Sequence, residues 1–135
     1  MGTGRLILHV DDREDEGFLL QRAVLGAAAD WDLHFVGSGE AALEYLSTAK
    51  AGQCEMPRLV LVDIKMPKIN GFQVLEWVQE NLPQLPVAML SSSDEPTDKA
   101  RAAAEGAFRY FVKSSSFSEV IECLQNFETW VTRDH

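Results

Sequence analysis

Short runs of apolar residues alternate along this chain with longer stretches in which apolar positions recur every three or four residues. The short runs are RLILHV (5–10), DLHFV (32–36), LVLV (59–62), PVAML (86–90) and FRYFV (108–112), and they predict five strands. Between them the spacing predicts helices. Leu20, Ala23, Val24 and Ala27 share one face, GEAALEYLSTAK follows Ser38 as a capping residue, and Val74, Leu75, Val78 and Leu82 line a third helix. An alanine-rich helix is expected over 98–105, capped by Asp94 or Thr97, and a last helix over about 116–131 with Phe117, Val120, Ile121, Leu124 and Val131 at core spacing. Strands that alternate with helices in this way predict an α/β fold, (βα)5, with a doubly wound parallel sheet. One domain over residues 1–135, with its core at about 5–131, accounts for the whole pattern.

All strands of such a sheet point the same way, so the residues that follow them collect along one edge, where α/β proteins bind ligands. Four of the five predicted strands end there on a reactive side chain: Asp11 and Asp12, then Asp63, Ser91 and Lys113. Each has an ordinary reading as a helix cap, turn residue or solvated group. As a set they point elsewhere. Adjacent carboxylates facing a third repel one another, and a divalent cation relieves that repulsion; Mg²⁺ suits carboxylates, a carbonyl and waters. A carboxylate beside such a cation can also attack a phosphoryl group, with a nearby hydroxyl and ammonium to meet its oxygens.

Composition narrows the partners. With 135 residues and 46% hydrophobic residues, the chain can bury a core without disulfides. A formal net charge of −9 disfavours nucleic acid and anionic membrane as direct partners. Cys54 and Cys123 lie far apart and without metal-ligand spacing, so they read as reduced thiols. No stretch approaches the ~20 apolar residues of a membrane span, and the N-terminus turns acidic before any signal-like run is complete. A cytoplasmic protein is the expectation. His9, His34 and His135 show no ligand pattern, and His9 and His34 read as strand residues with structural roles.

Over residues 5–131 the chain resembles a response regulator receiver domain of two-component signalling. The resemblance is carried by Asp11 and Asp12, by D-x-x-M-P-x-x-x-G at Asp63, Met66, Pro67 and Gly71, by Ser91 after VAML, and by Tyr110 three residues before Lys113. It implies strand order 2-1-3-4-5 and a signalling role rather than turnover of a substrate. Asp63 would accept a phosphoryl group from a sensor histidine kinase or a histidine phosphotransfer protein. Asp12, Asp63 and the main-chain carbonyl of Lys65 would hold Mg²⁺, with Asp11 acting mainly through water. Lys113 would contact the phosphoryl group, Ser91 would move to bond it, and Tyr110 would rotate inward. The output would be contact with another protein on the face of the fourth helix, fifth strand and fifth helix, with a homodimer as a further arrangement, or passage of the phosphate onward. The chain is read as a stand-alone switch. The Arg13-to-Glu16 start of its first helix and the longer loop before Met56 also resemble single-domain receivers paired with phytochrome-type kinases.

Three positions depart from the family pattern. Ser114 follows Lys113 where proline is usual, and a non-proline cis bond there would cost about 2.5 to 4 kcal/mol. Lys65 stands two residues past the acceptor, where its cation is expected to pair with the acidic cluster at rest. Ser91 replaces the commoner threonine and keeps the hydroxyl. Two other functions compete: a receiver-like binding module that works without phosphorylation, and a Mg²⁺-dependent phosphohydrolase of the haloacid-dehalogenase type. The second wants another acid two positions after the nucleophile, where this chain has Lys65.

Overall fold

The structure is a computed structural model that describes residues 4–134 apart from positions 93 and 115. Strands β1 (Leu6–Val10), β2 (Asp32–Val36), β3 (Leu59–Asp63), β4 (Val87–Ser91) and β5 (Arg109–Val112) form one parallel sheet in the order β2-β1-β3-β4-β5. Helices α1 (Glu14–Ala27), α2 (Gly39–Lys50), α3 (Gly71–Asn81), α4 (Pro96–Ala104), α5 (Ser118–Gln125) and α6 (Phe127–Asp134) connect and follow them. The predicted (βα)5 order and the strand sequence 2-1-3-4-5 are both observed.

Alternation along each strand divides the core into two layers. Ile7, Leu59, Leu61, Ala88 and Leu90 face one side, where Leu20 and Val24 of α1 meet Val120 and Leu124 of α5 and Phe127 of α6. Leu8, Val10, Val60, Val62 and Met89 face the other, against Leu46 of α2, Val74, Leu75 and Val78 of α3 and Ala102 of α4. All five residues of β1, β3 and β4 are buried, because helices cover both faces of the central strands. The edge strand β2 is only half buried. Trp31 seals the end of α1 by donating its indole N–H to the carbonyl of Leu124 at 3.2 Å.

Local chemistry explains where the elements begin. Ser38 Oγ accepts from the N–H of Ala41 at 3.1 Å, as expected for the cap of α2. Asn70 does more than turn the chain. Its side chain accepts from Gln73 N–H at 3.0 Å while its own N–H donates to Gln73 Oε1 at 2.9 Å, a capping box that starts α3 at Gly71.

Several expectations are corrected. Helix α4 begins at Pro96, not at 98, and neither Asp94 nor Thr97 caps it; Glu95 is the N-cap without a side-chain capping bond, and Pro96 supplies the helical φ at a position whose N–H needs no partner. Asp94 instead pairs with Lys99. The single last helix is two, because Asn126 interrupts it with φ −119° and turns its side-chain amide back onto the carbonyl of Glu122 at 2.8 Å. Ala27 lies on the exposed side of α1, leaving Leu20 and Val24 as its buried stripe. His34 is exposed, with its ring 4.8 Å from that of Tyr45, and His135 lies outside the described residues. Both cysteines are free thiols, and Cys123 is buried on α5 as its spacing suggests. No helix of the described residues is long and apolar enough to cross a membrane.

Candidate functional site

The register of the sheet places the reactive residues side by side. Asp11 follows β1 directly, Asp63 is the last residue of β3 and pairs with Leu90, and Ser91 ends β4 one residue beyond. Lys113 follows β5 and donates its main-chain N–H to the carbonyl of Ser91 at 2.7 Å. Asp11, Asp63 and Ser91 are buried, whereas Asp12 opens to solvent. The sequence-predicted set is thereby brought to one edge of the sheet.

Asp11, Asp12 and Asp63 each offer a carboxylate oxygen, and these atoms lie within 4.8 Å of one another. At such separations each like-charged pair repels by about 3 to 4 kcal/mol at the effective dielectric of a protein surface. One buried cation answers that repulsion here. Lys113 Nζ donates to Asp11 Oδ2 at 2.9 Å and stands 3.8 Å from Asp63 Oδ1. Burial pushes the Asp63 carboxyl up to about 6, and the charge of Asp11 adds to this. Lys113, Arg13 and a hydrogen bond from the N–H of Lys65 pull it back. With a pKa of about 6, the Asp63 carboxyl is mostly ionised at pH 7.

The donor set fits a hard divalent cation. It is all carboxylate oxygen, clustered at a sheet edge, with one member exposed and no sulfur or imidazole among them. The side chain of Lys65 is exposed, and among the described residues Lys113 and Arg13, not Lys65, pair with the acidic cluster. The expected resting ion pair of Lys65 is thus corrected: its backbone serves Asp63 while its ammonium faces water. The Lys113–Ser114 peptide is trans, there being no cis bond among the described residues.

Tight backbone packing holds the loop after Asp63. A Cβ on Gly71 would sit 2.6 Å from the carbonyl oxygen of Asp63 and 2.9 Å from Ile64 Cα, and Gly71 N–H donates to the carbonyl of Ile64 at 3.1 Å. Glycine at this place lets α3 start against the strand end that carries Asp63. Tyr110 is half-buried on β5, opposite Met89, and packs against the α3 and α4 layer.

The sequence assigns no role in the site to three of its neighbours. Arg13 reaches back to the cluster, with Nε 3.8 Å from Asp11 Oδ1, and Glu16 on the first turn of α1 lies 3.2 Å from Arg13 and 3.8 Å from Lys113. A basic residue directly after two aspartates, with an acid three positions on, is the only signal they leave. His9 is 1% exposed beneath the cluster, with its ring 5.4 Å from that of Phe35, and neither ring nitrogen has a hydrogen-bond partner among the described residues. Burial, with a smaller push from Lys113 against the pull of Asp11, lowers its pKa to about 4, so the ring is neutral.

Comparison with known proteins agrees with this arrangement. The family model for the response regulator receiver domain matches residues 7–125. A probable methanogenesis regulatory protein, FilR2 of Methanothrix harundinacea, is 30% identical over 93% of this chain and 83% of its own length. Response regulator Rcp1 of Synechocystis is 27% identical over 93% of this chain and 88% of its own. The chain spans only 44% of the transcriptional regulatory protein PhoP of Bacillus subtilis, to which it is 32% identical. Among solved structures, the Mn²⁺-bound form of Rcp1 superposes with a TM-score of 0.75 at 26% identity, covering 93% of this chain and 92% of that one. The phosphorylated cyanobacterial phytochrome response regulator RcpA shares the fold, with a TM-score of 0.78 at 24% identity over 97% of this chain and 96% of that one. Fold, strand-end chemistry and sequence match converge, and the chain belongs to the response regulator receiver domain family.

Proposed function

We propose that this protein is a phosphorylation switch in which Asp63 accepts a phosphoryl group from a phosphohistidine of a sensor kinase or phosphotransfer protein. The observation that carries the reading is the pairing of a buried Asp63 with Lys113 inside a cluster of three carboxylates. A carboxylate oxygen of Asp63 attacks phosphorus, the P–N bond of the phosphohistidine breaks, and its electron pair stays on the departing imidazole nitrogen. With a small acyl phosphate as donor, the P–O bond breaks and a carboxylate leaves. Either path yields an acyl phosphate on Asp63.

Mg²⁺, held by Asp11, Asp12, Asp63 and the carbonyl of Lys65, would supply positive charge against the phosphoryl oxygens when bound. Lys113 offers a compact charge to one oxygen, and the hydroxyl of Ser91 donates to another. Ser91 would move toward the phosphoryl group, and Tyr110, which lies opposite Met89 in the sheet register, would rotate inward. The face of α4, β5 and α5 would then present a different surface to a protein partner, or to a second copy of the chain, and the acyl phosphate could also pass to another histidine.

The test is transfer from a phosphohistidine donor in the presence of Mg²⁺. Phosphoryl should move to the wild-type chain and not to Asp63→Asn, and a beryllofluoride-treated protein should capture a protein partner that the resting protein does not. Transfer that proceeds equally to Asp63→Asn would overturn the assignment. Partner binding indifferent to beryllofluoride and to Asp63→Asn would favour a module that works without phosphorylation.

A further inference from the structure

The charged groups around the acceptor close into a ring. Arg13 Nε stands 3.8 Å from Asp11 Oδ1, and Asp11 Oδ2 accepts from Lys113 Nζ at 2.9 Å. Lys113 Nζ stands 3.8 Å from Glu16 Oε1, and the same oxygen lies 3.2 Å from Arg13 Nη2. Signs alternate around the ring, so each member is attracted to both neighbours. An isolated Arg13–Glu16 pair would be an ordinary i,i+3 contact on a helix surface, worth a few tenths of a kcal/mol. Here both partners also share the buried charges that face Asp63.

The two cations of the ring are placed differently. The Lys113 side chain is 9% exposed and held by Asp11, whereas that of Arg13 is 52% exposed at the mouth of the site. The main chain of Arg13 is fixed by the same aspartate, since its N–H donates to Asp11 Oδ1 at 3.0 Å. Only the side chain has room to swing.

A phosphodonor must bring a negatively charged phosphoryl group to a pocket walled by carboxylates, on a protein of net charge −9. Lys113 meets that group only once it is inside. A guanidinium at the mouth, with a planar fork matched to phosphate oxygens, can meet it on the way in. We propose that Arg13 binds the phosphoryl group of the incoming donor, and that Glu16 is a positioning residue that holds Arg13 between encounters and so sets its availability. This rests on the reading of Asp63 as the acceptor and adds to it the residue that gathers the donor.

The experiment follows phosphorylation of the full chain by acetyl phosphate at saturating Mg²⁺, with intact mass as the readout and donor concentration varied. Arg13→Ala should raise the half-saturating donor concentration about threefold to fivefold, the range of a solvent-screened charge contact, and lower the saturated rate less than that. Arg13→Lys should restore part of the loss, and added salt should shrink the difference between wild type and Arg13→Ala. Glu16→Gln should shift the half-saturating concentration downward. Arg13→Gln serves as a second variant if the alanine form folds poorly. An unchanged half-saturating concentration in Arg13→Ala and Arg13→Gln would overturn the proposal. So would a Glu16→Gln protein that loses saturated rate alone, since Glu16 would then serve only Lys113. A wild-type chain that takes no phosphoryl group at all would instead remove the acceptor reading on which the proposal stands.

Discussion

Lys113 Nζ lies nearer to Asp11, at 2.9 Å, than to Asp63, at 3.8 Å, although the lysine is read as serving the phosphoryl group on Asp63. Asp11 is completely buried, so its charge needs a partner more than any other in the cluster. Lys113 thus acts as an internal cation of the acidic cluster. Removing it by Lys113→Met leaves Asp11 buried and unpaired by the lysine, which should cost about 3 kcal/mol of stability in EDTA. Urea unfolding at rising Mg²⁺ should show that cost shrinking, because a divalent cation bound to the folded state stabilises it by mass action. A loss that is the same at every Mg²⁺ concentration would mean that Lys113 and the cation do not share Asp11.

Gly71→Ala should damage both the fold and the site. The added methyl would meet main-chain atoms of Asp63 and Ile64, which cannot rotate away as a side-chain end could. The expected destabilisation is about 1 to 3 kcal/mol, the range of overpacking. Phosphorylation at a temperature where the variant remains folded should also slow, because relief of the clash displaces the strand end that carries Asp63. Melting curves together with an intact-mass assay check both halves.

Acid stability should reveal His9 and Asp63 working in opposite directions. The folded pKa of His9 is lowered to about 4, so the unfolded chain binds more protons between pH 6.5 and 4. Its contribution is present above pH 6.5 and is lost as pH falls through that window, up to about 3 kcal/mol. The folded pKa of Asp63 is raised to about 6, so its contribution is present below its unfolded value of 3.8 and is lost as pH rises through 6. The two partly cancel in the wild type. In EDTA, Asp63→Asn should therefore be more stable than wild type at pH 7, by on the order of 2 kcal/mol, and should lose stability more steeply toward pH 4. His9→Leu removes two buried ring nitrogens that lack partners among the described residues, and should gain about 1 kcal/mol at pH 7 and flatten the acid limb. Chemical denaturation at a series of pH values decides the signs.

Much of this arrangement was legible in the residue order. LVLV and PVAML read as buried strands because they are continuous apolar runs, and the residues that follow them had to fall on one sheet edge. That placed Asp11, Asp63, Ser91 and Lys113 together before any distance was known. Sequence alone assigns Arg13 and Glu16 no place in the site because a charged run at a helix start reads as a solvated face, and only tertiary packing brings Lys113, after β5, to within 3.8 Å of Glu16. Lys65 was given the wrong partner for the same reason: sequence places it near Asp63 but does not say that its ammonium faces out. Helix α4 starts two residues before the predicted 98 because Pro96 is its first helical residue, and alanine-rich composition does not reveal that. The break at Asn126 was missed because the apolar spacing of Leu124 and Val131 continues across it.

The central claim is that Asp63 takes up a single phosphoryl group with help from Mg²⁺. Intact-mass spectrometry after incubation with acetyl phosphate tests it most directly. The expected result is one phosphoryl adduct on the wild-type chain in Mg²⁺, much reduced in EDTA and absent from Asp63→Asn. An adduct that persists in Asp63→Asn, or a folded wild-type chain that gains none in Mg²⁺ from either acetyl phosphate or a phosphohistidine donor, would contradict it.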